Sequence, residues 1–568
     1  MKLFRKLLRL IPFLGRLGRR RRRRIIRGHR ALRAAGRLSR IVELKESLTN
    51  LHFDAEAAQA SARIFGAGRR DAEIIIRQYV LIRAGGLNLN CALLVALGGG
   101  GTVVHPLPAG WRQIVREHGF EVAEFRCAVW WHAYVAFLGA YGLWLFLCRV
   151  LAGLREFIRP SFPPMGRYAY FDSLVRGNLP QSVADGRSHD ILSWYLQWPK
   201  RTDNLDALAH GMRSVPAGTV KGVRVVPLMH SIPPLARAGD VLRFLAWGLV
   251  AGELAMMDLL RGRWWHAMLL SEAVKAAQIR MADPARLACD YLFHNSGWIY
   301  RPLWSYEAEA RGSRIIFYFY STNCESFKAA DGYPIQANSW QAMNWPLYLV
   351  WDEGQADFVR RAKGRHAPVQ VVGSIWFHAS AAEIPALPPR TIAVFDVQPM
   401  RSAFYSTLGL ALDYYTPETG IRFLGDIHDG ARSCGAMLAL KRKRKIGRLA
   451  HPAYRKFVEN LDALSNFIAI DPDTSALRVI EKSAAVISMP FTSTALIARE
   501  LEKPSCYYDP TGLVQKDDRA AHGIEVISGC EELARWLGSV MAVPSQTRNH
   551  SGLEAAMADR QEAPRLVG

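Results

Sequence analysis

Acidic residues are missing from the first forty positions of the chain, which hold 16 Lys and Arg and no Asp or Glu. The other 528 residues carry 57 basic and 50 acidic side chains, so most of the +23 net charge belongs to one N-terminal arm. The body is only mildly basic, which argues against a specific nucleic-acid surface outside the arm and suits a protein that handles anionic small molecules. Cysteine pairs are missing as well. The eight cysteines, Cys91, Cys127, Cys148, Cys289, Cys324, Cys434, Cys506 and Cys530, are scattered and never form C-x-x-C. That excludes a disulfide framework or a structural zinc site and fits a reducing compartment. A G-x-G-x-x-G fingerprint after a first strand is also absent, which removes the dinucleotide oxidoreductases. Gly98 to Gly101 lacks that order and reads as a turn.

The arm itself opens MKLFRKLLRLIPFLGRLGRRRRRR. Leu3, Leu7, Leu10, Ile11 and Leu14 recur at helical spacing beside Lys2, Lys6 and Arg9, Pro12 interrupts the pattern, and Arg19 to Arg24 form an unbroken basic run. An apolar stripe followed by a polybasic run fits an anionic membrane surface. The short, charged apolar stretch does not read as a cleaved signal peptide. A disordered basic tail that binds RNA non-specifically is the other reading of the arm.

Cys127 to Cys148 contains no Asp, Glu, Lys or Arg over 22 residues and is long enough to cross a bilayer. A single crossing would set the basic arm and the large C-terminal body on opposite sides, whereas basic segments stay cytoplasmic. The segment therefore reads either as a monotopic or re-entrant helix or as a buried helix of a soluble fold.

The chain divides into a basic amphipathic arm (1–48), an N-terminal Rossmann-like half (49–380) carrying an apolar helical segment (127–155), a C-terminal Rossmann-like half (390–545) and a polar tail (546–568). SAAEIPALPP, from Ser380 to Pro389, is the linker. After it, TIAVFDV, IRFLGD, AMLALK, FIAID, AAVISM, SCYYD and IEVIS read as strands, several of them separated by amphipathic helices. Alternating short strands and helices predict a parallel α/β sheet. Two such halves place a ligand cleft between the C-terminal ends of their strands.

Residues leaving those strands are the candidates for chemistry. Thr492, Ser493 and Thr494 follow AAVISM at a helix start, where free backbone N–H groups attract a phosphate; ordinary N-capping is the competing reading. Lys441 and Arg442 leave AMLALK and suit donor phosphates. Asp396 and Arg401 leave the first strand of this half, and Asp426 and His428 leave the next. Asp426, His428 and Asp429 lack a second ligand group at defined spacing, so no metal site is expected. On the N-terminal side, His294, Asn295, Ser321, Asn323 and Glu325 follow candidate strands and face an acceptor.

Pro490-Phe491-Thr492-Ser493 resembles the signature of the polysaccharide biosynthesis PFTS motif family, as do PLPAGW, NSGWIYRPLW, FYFYSTN, WDEGQ through VVGSIWF, LALKRKRK and YYDPTG. The likeness spans most of residues 70–540. It implies a GT-B-like bacterial protein of surface-polysaccharide assembly, making capsule, O-antigen or a related glycan. A second likeness is to bacterial sialyltransferase-like enzymes, which use an acidic D/E-D/E-G motif, an HP motif and an S-S/T motif in that order. Asp352-Glu353-Gly354, His451-Pro452 and Thr492-Ser493-Thr494 stand in that order here, with Thr-Ser-Thr departing from Ser-Ser. It implies a CMP-linked donor.

Together these readings predict a metal-independent, inverting glycosyl transfer with no cofactor beyond the nucleotide-sugar substrate. Thr492 to Thr494 hold the donor phosphate, Lys441 or Arg442 offsets the leaving-group charge, His451 donates to it, and Asp352 or Glu353 deprotonates a glycan or lipid-linked acceptor. The expected location is the cytoplasmic face of a bacterial inner membrane. A non-catalytic, membrane-bound assembly scaffold that keeps the same fold is the competing reading.

Overall fold

The computed structural model describes residues 12–37, 39–60, 69–99, 101–174, 190–212, 217–295, 298–322, 324–328, 330, 332–333, 338–375, 384–401, 414–443, 445 and 447–542. The apolar positions Leu3, Leu7, Leu10 and Ile11, the candidate Asn323, and the tail from 546 lie outside them.

The chain begins with helices: α1 (Pro12–Ala34), α2 (Arg40–Asn50), α3 (Asp54–Ala60), α4 (Arg69–Ala84), α5 (Leu87–Gly99), α6 (Ala109–Glu117) and α7 (Glu124–Ile158). Pro12 is the first residue of α1, a position where a helix needs no N–H. The polybasic run is therefore helical, and α1 is docked. Gly28 of α1 and Gly98 of α5 face each other so closely that a Cβ on either would collide with the other helix's backbone. Gly98 and Gly99 thus belong to a helix, not to a turn. Between α5 and α7, an isolated bridge pairs Val103 with Val122.

Two sheets follow. The first contains β1 (Tyr168–Phe171), β2 (Ala207–His210), β3 (Gly218–Val220), β4 (Val223–Pro227), β5 (Asp290–His294), β6 (Arg314–Tyr318), β7 (Tyr348–Val350) and β8 (Val369–Val371). Their order is β3-β4-β2-β1-β5-β6-β7-β8, parallel except for β3 against β4. Its helices are α8 (Ile191–Gln197), α9 (Ala238–Leu260), α10 (Trp265–Met281), α11 (Leu303–Ala310), α12 (Asn338–Gln341) and α13 (Glu353–Lys363). The second sheet contains β9 (Thr391–Phe395), β10 (Met437–Lys441), β11 (Phe467–Ile470), β12 (Ala485–Ser488), β13 (Ser505–Asp509) and β14 (Glu525–Ser528), in the parallel order β11-β10-β9-β12-β13-β14. Helices α14 (Pro417–Ser433), α15 (Pro452–Leu461), α16 (Ala476–Glu481), α17 (Thr494–Glu500) and α18 (Gly529–Ala542) accompany it. The fold is α/β with two Rossmann-like, parallel-sheet halves, the GT-B-like layout.

One expected strand is a helix. IRFLGD lies inside α14, where Phe423, Leu424, Ile427 and Ala431 are buried at helical spacing. Thr416 caps the helix by accepting from Thr419 N, and Pro417 occupies its first turn. Asp426 and His428 consequently leave no strand. Asp426 accepts from Tyr508 Oη at 2.6 Å, and His428 Nε2 lies 2.9 Å from Asn466 Oδ1.

The apolar segment forms the middle of α7, 35 residues or about 50 Å long. One stripe, including Trp131, Val135, Leu138, Gly142, Phe146 and Val150, is buried, and α7 packs on α9 and α10. The opposite stripe is exposed. Gly142 marks the closest approach to α10, since a Cβ there would lie 2.8 Å from Leu270 Cβ and 2.9 Å from the Ser271 amide. Gly142→Leu is expected to force α7 off α10 and to destabilise the N-terminal half by about 1–3 kcal/mol, read as a lower thermal midpoint. An unchanged midpoint would mean that α7 is not held by this contact.

Candidate functional site

In a doubly wound sheet the loops after neighbouring strands diverge where the chain order reverses, leaving a crevice at the C-terminal edge. Here the reversals fall between β1 and β5 in the first sheet and between β9 and β12 in the second. The two C-terminal edges oppose each other. Thr322, just beyond β6, donates from its amide to Ser493 Oγ at 3.0 Å, and the two hydroxyls are 3.1 Å apart.

At the β9–β10 edge the structure gathers Asp396, Arg401, Lys441, Arg442 and His451. Two loops are zipped together by Arg401 N to Leu449 O (3.0 Å) and His451 N to Pro399 O (2.9 Å), which brings His451 beside the end of β9. Asp396 is 3% exposed and accepts a hydrogen bond from Tyr454 Oη. Burial pushes its carboxyl up to about 6, against the pull of the Tyr454 hydrogen bond and of Arg442 and Lys441. Asp396 Oδ1, Arg401 Nε, Arg442 Nε and His451 Nδ1 are all buried and without a hydrogen-bond partner among the described residues. Buried polar atoms are rarely left unpaired, which makes this cluster at the C-terminal ends of β9 and β10 the candidate ligand site. Lys441 turns the other way, donating from Nζ to Pro472 O at 3.0 Å, and burial lowers its pKa.

The hydroxyls of the β12 turn are engaged within the protein. Thr492 Oγ1 donates to Met489 O (3.0 Å), Thr494 Oγ1 pairs with Ser488 Oγ (2.8 Å), and Ser493 is bound to Thr322. Ser493 stands before α17 without a side-chain capping bond. Phe491 packs on Phe327 of the opposite half, ring centroids 5.1 Å apart. This turn is therefore part of the contact between the halves.

Asp352 follows β7, caps α13 through Gln355 N, and has both carboxylate oxygens 2.8 Å from His522 Nδ1 of the other half. Arg499 Nη2 lies 3.8 Å away. Burial acts to raise the Asp352 carboxyl, but the His522 hydrogen bond and charge prevail and hold it below the ordinary range. Gly354 is small for a reason, because a Cβ there would lie 2.9 Å from His522 Nδ1. Glu353 is 74% exposed, with Arg360 at 3.4 Å. Glu325 is clamped between Arg361 and Arg519, the latter at 3.2 Å. Arg519 also lines a cavity of about 520 Å³ with Arg77, Arg361 and Tyr333, none of them from the β9–β10 cluster.

Across the cleft, His294 ends β5, is buried, and donates from Nε2 to Ser173 O at 3.2 Å. Burial lowers its pKa. Beside it, Asp172 at the end of β1 accepts from Trp298 Nε1 and Ser173 Oγ, each at 2.5 Å. Asn295 Nδ2 reaches Ser321 Oγ at 3.3 Å.

The sequence reading missed Tyr454, His522, Thr322 and Asp172. Tyr454 lies three residues after His451 in the same HPAY segment, so helical spacing was a usable signal. His522 precedes β14 in a loop, in a left-handed conformation next to Gly523. Nothing local links it to Asp352, 170 positions away.

A family model described as polysaccharide biosynthesis PFTS motif protein matches residues 249–537. No curated protein matches this sequence. Among solved structures, Os79 from O. sativa with UDP and deoxynivalenol-3-glucoside is 12% identical, with TM-score 0.32, covering 70% of this chain and 94% of that one. UGT2 from Phytolacca americana with UDP-2fluoro-glucose and pterostilbene is 10% identical, TM-score 0.30, covering 70% and 100%. UDP-GlcNAc 2-epimerase from Methanocaldococcus jannaschii is 8% identical, TM-score 0.33, covering 70% and 99%.

The raised Asp396 pKa makes stability depend on pH. Its contribution is fully present below the unfolded value of 3.8 and is lost as pH rises through about 6. Relative to Asp396→Asn, the native protein should lose stability on the order of 3 kcal/mol between about pH 4 and about pH 7, measured by urea midpoints. A difference that does not vary with pH would show that Asp396 is charged and compensated.

Proposed function

Because the chain belongs to the polysaccharide biosynthesis PFTS motif family, we propose that it is a glycosyltransferase of bacterial surface-polysaccharide assembly, moving a sugar from a nucleotide-sugar donor to a glycan or lipid-linked acceptor. The observation that supports this reading is the cluster of buried polar atoms of Asp396, Arg401, Arg442 and His451, unpartnered among the described residues, at the C-terminal ends of β9 and β10.

As the bond to the sugar breaks, negative charge builds on the donor phosphate. Arg442 and Arg401 offset that charge, and His451 donates a hydrogen bond or proton to the leaving group. The acceptor hydroxyl gives its proton to the Asp352–His522 pair, with Asp352 holding Nδ1–H so that Nε2 is the receiving atom. Glu353, on the same turn, is the second carboxylate within this region. The transfer is drawn without a metal ion and with inversion. A CMP-linked donor is the preferred class, on the likeness of the DEG, HP and TST segments to sialyltransferase-like motifs.

The site of action is a membrane surface. Among the described residues, 12 of the 25 large apolar side chains that are exposed lie on α7 and 6 on α9, Trp130, Tyr141 and Trp144 among them. An apolar face this broad, edged by aromatic rings, suits the interface of a bilayer. The buried stripe of α7 favours its lying in one leaflet rather than crossing. With the basic arm beside it, the cytoplasmic leaflet is the expected surface.

The non-catalytic scaffold keeps one observation in its favour, that Asp352 and the three hydroxyls of the β12 turn are already bound within the protein. Binding of CMP-, UDP-, GDP- and dTDP-sugars to the full-length protein discriminates. Arg442→Gln is expected to weaken donor binding about tenfold or more. Ser493→Asp should leave it within about twofold, since its hydroxyl serves Thr322. A large loss in Ser493→Asp with none in Arg442→Gln would move the phosphate to the β12 turn, and no binding of any nucleotide sugar would favour the scaffold.

Turnover tests the base. Asp352→Asn should lower it by ~10²–10⁴-fold with donor affinity nearly unchanged, and Glu353→Gln should have a small effect. Full activity in both variants would place the base elsewhere.

A further inference from the structure

A second cavity, of about 660 Å³, lies between α1, α5, the 101–106 loop and the start of α7. Among the described residues, Arg20, Arg21 and Arg24 from α1 and Arg126 from α7 line it, and none of those lining it is Asp or Glu. Glu124, the acid nearest Arg126 in sequence, is committed to Arg112 (2.8 Å) and Arg116 (3.2 Å). Like charges around one cavity repel each other and are stabilised together when an anion sits among them. Guanidinium groups in particular match the oxygens of a phosphate with paired N–H donors.

The position of the cavity narrows the ligand. Trp130 lines it and is also 59% exposed on the apolar face of α7, next to Val129 at 50%. Val104, from the loop wall, is 40% exposed. The cavity thus sets accessible arginines directly beside an apolar track. A soluble phosphate would use the arginines alone, whereas an amphiphile with a phosphate head would use both parts. The docking of α1 on α5 through Gly28 and Gly98 holds three of the arginines in place, so the site is built by the fold rather than by a loose basic tail.

We propose that this cavity binds the phosphate or diphosphate head of a membrane lipid, with the lipid chain lying along the exposed face of α7. The assignment rests on the membrane-surface reading above but not on the sugar-transfer site. It converts the basic run from general attraction to a specific headgroup site, with outward-facing Arg22 and Arg23 left for surface attraction.

Co-sedimentation of the full-length protein with phosphatidylcholine vesicles tests this, using phosphatidic acid for an exposed phosphate and phosphatidylglycerol at matched surface charge. The native protein should prefer phosphatidic acid by about tenfold. The double variant Arg24→Gln/Arg126→Gln should lose that preference, while Arg22→Gln/Arg23→Gln, with the same change in net charge, should keep it. Matched thermal midpoints would confirm that both variants fold. Equal losses in the two variants, or no preference in the native protein, would overturn the cavity assignment while leaving membrane binding intact. Failure to bind either vesicle would sink the membrane reading with it. Inorganic pyrophosphate that binds the native protein as tightly as the phosphatidic acid vesicles would show a soluble ligand and overturn the lipid assignment.

Discussion

Thr322 and Ser493 meet between two sheets that share no strand, and the geometry of the protein follows from that meeting. Every strand of the C-terminal sheet runs parallel to its neighbours, so the loops after the strands lie along one edge. Joining β6 to β12 at such loops sets edge against edge. The same seam holds Asp352 to His522, Lys328 N to Asp518 at 2.7 Å, and Phe327 among Tyr414, Tyr415 and Phe491. Hydrogen bonds to charged groups contribute ~1.5–3 kcal/mol each, so the seam resists opening. The β9–β10 edge supplies none of the bonds just named and keeps its polar atoms for something else.

That division sorts the polar residues by role. At the N-terminal edge of the first sheet, Asp290 is fully buried but saturated by Tyr195, Thr202 and Arg314, at 2.6, 2.6 and 2.8 Å. It anchors strands. Asp396 is as deeply placed at the opposite edge of the other sheet, yet one of its oxygens has no partner among the described residues. The two carboxylates are alike in burial and differ in the count of satisfied oxygens. Asp352 is satisfied in the same sense, with both oxygens 2.8 Å from His522 Nδ1.

Charge and apolarity are also laid out by the fold. The arginines of the arm, the exposed face of α7 and the exposed face of α9 lie in one helical region built around α5, α7 and α10. An α-helix turns its side chains through 100° per residue, so a segment apolar all round can bury one stripe and still present another. Residues 127–148 do both, so a fully buried helix does not describe them.

Much was legible from the residues alone. The strands TIAVFDV, AMLALK, FIAID, AAVISM, SCYYD and IEVIS are where the sequence pattern placed them, because buried parallel strands read as short apolar runs between helices. IRFLGD was not legible as helix, since six residues with three apolar ones fit either period and tertiary packing of Phe423 and Leu424 decided it. The sequence by itself determined the two α/β halves, the location of the excess charge, and which residues leave the strand ends. Tertiary structure alone decided which of those residues keep an unsatisfied atom and which are spent on a neighbour, as Ser493 is on Thr322 and Asp352 on His522. Such partners stand 170 and more positions apart, and a hydrogen bond between them depends on how two sheets are set against each other, which no local pattern encodes.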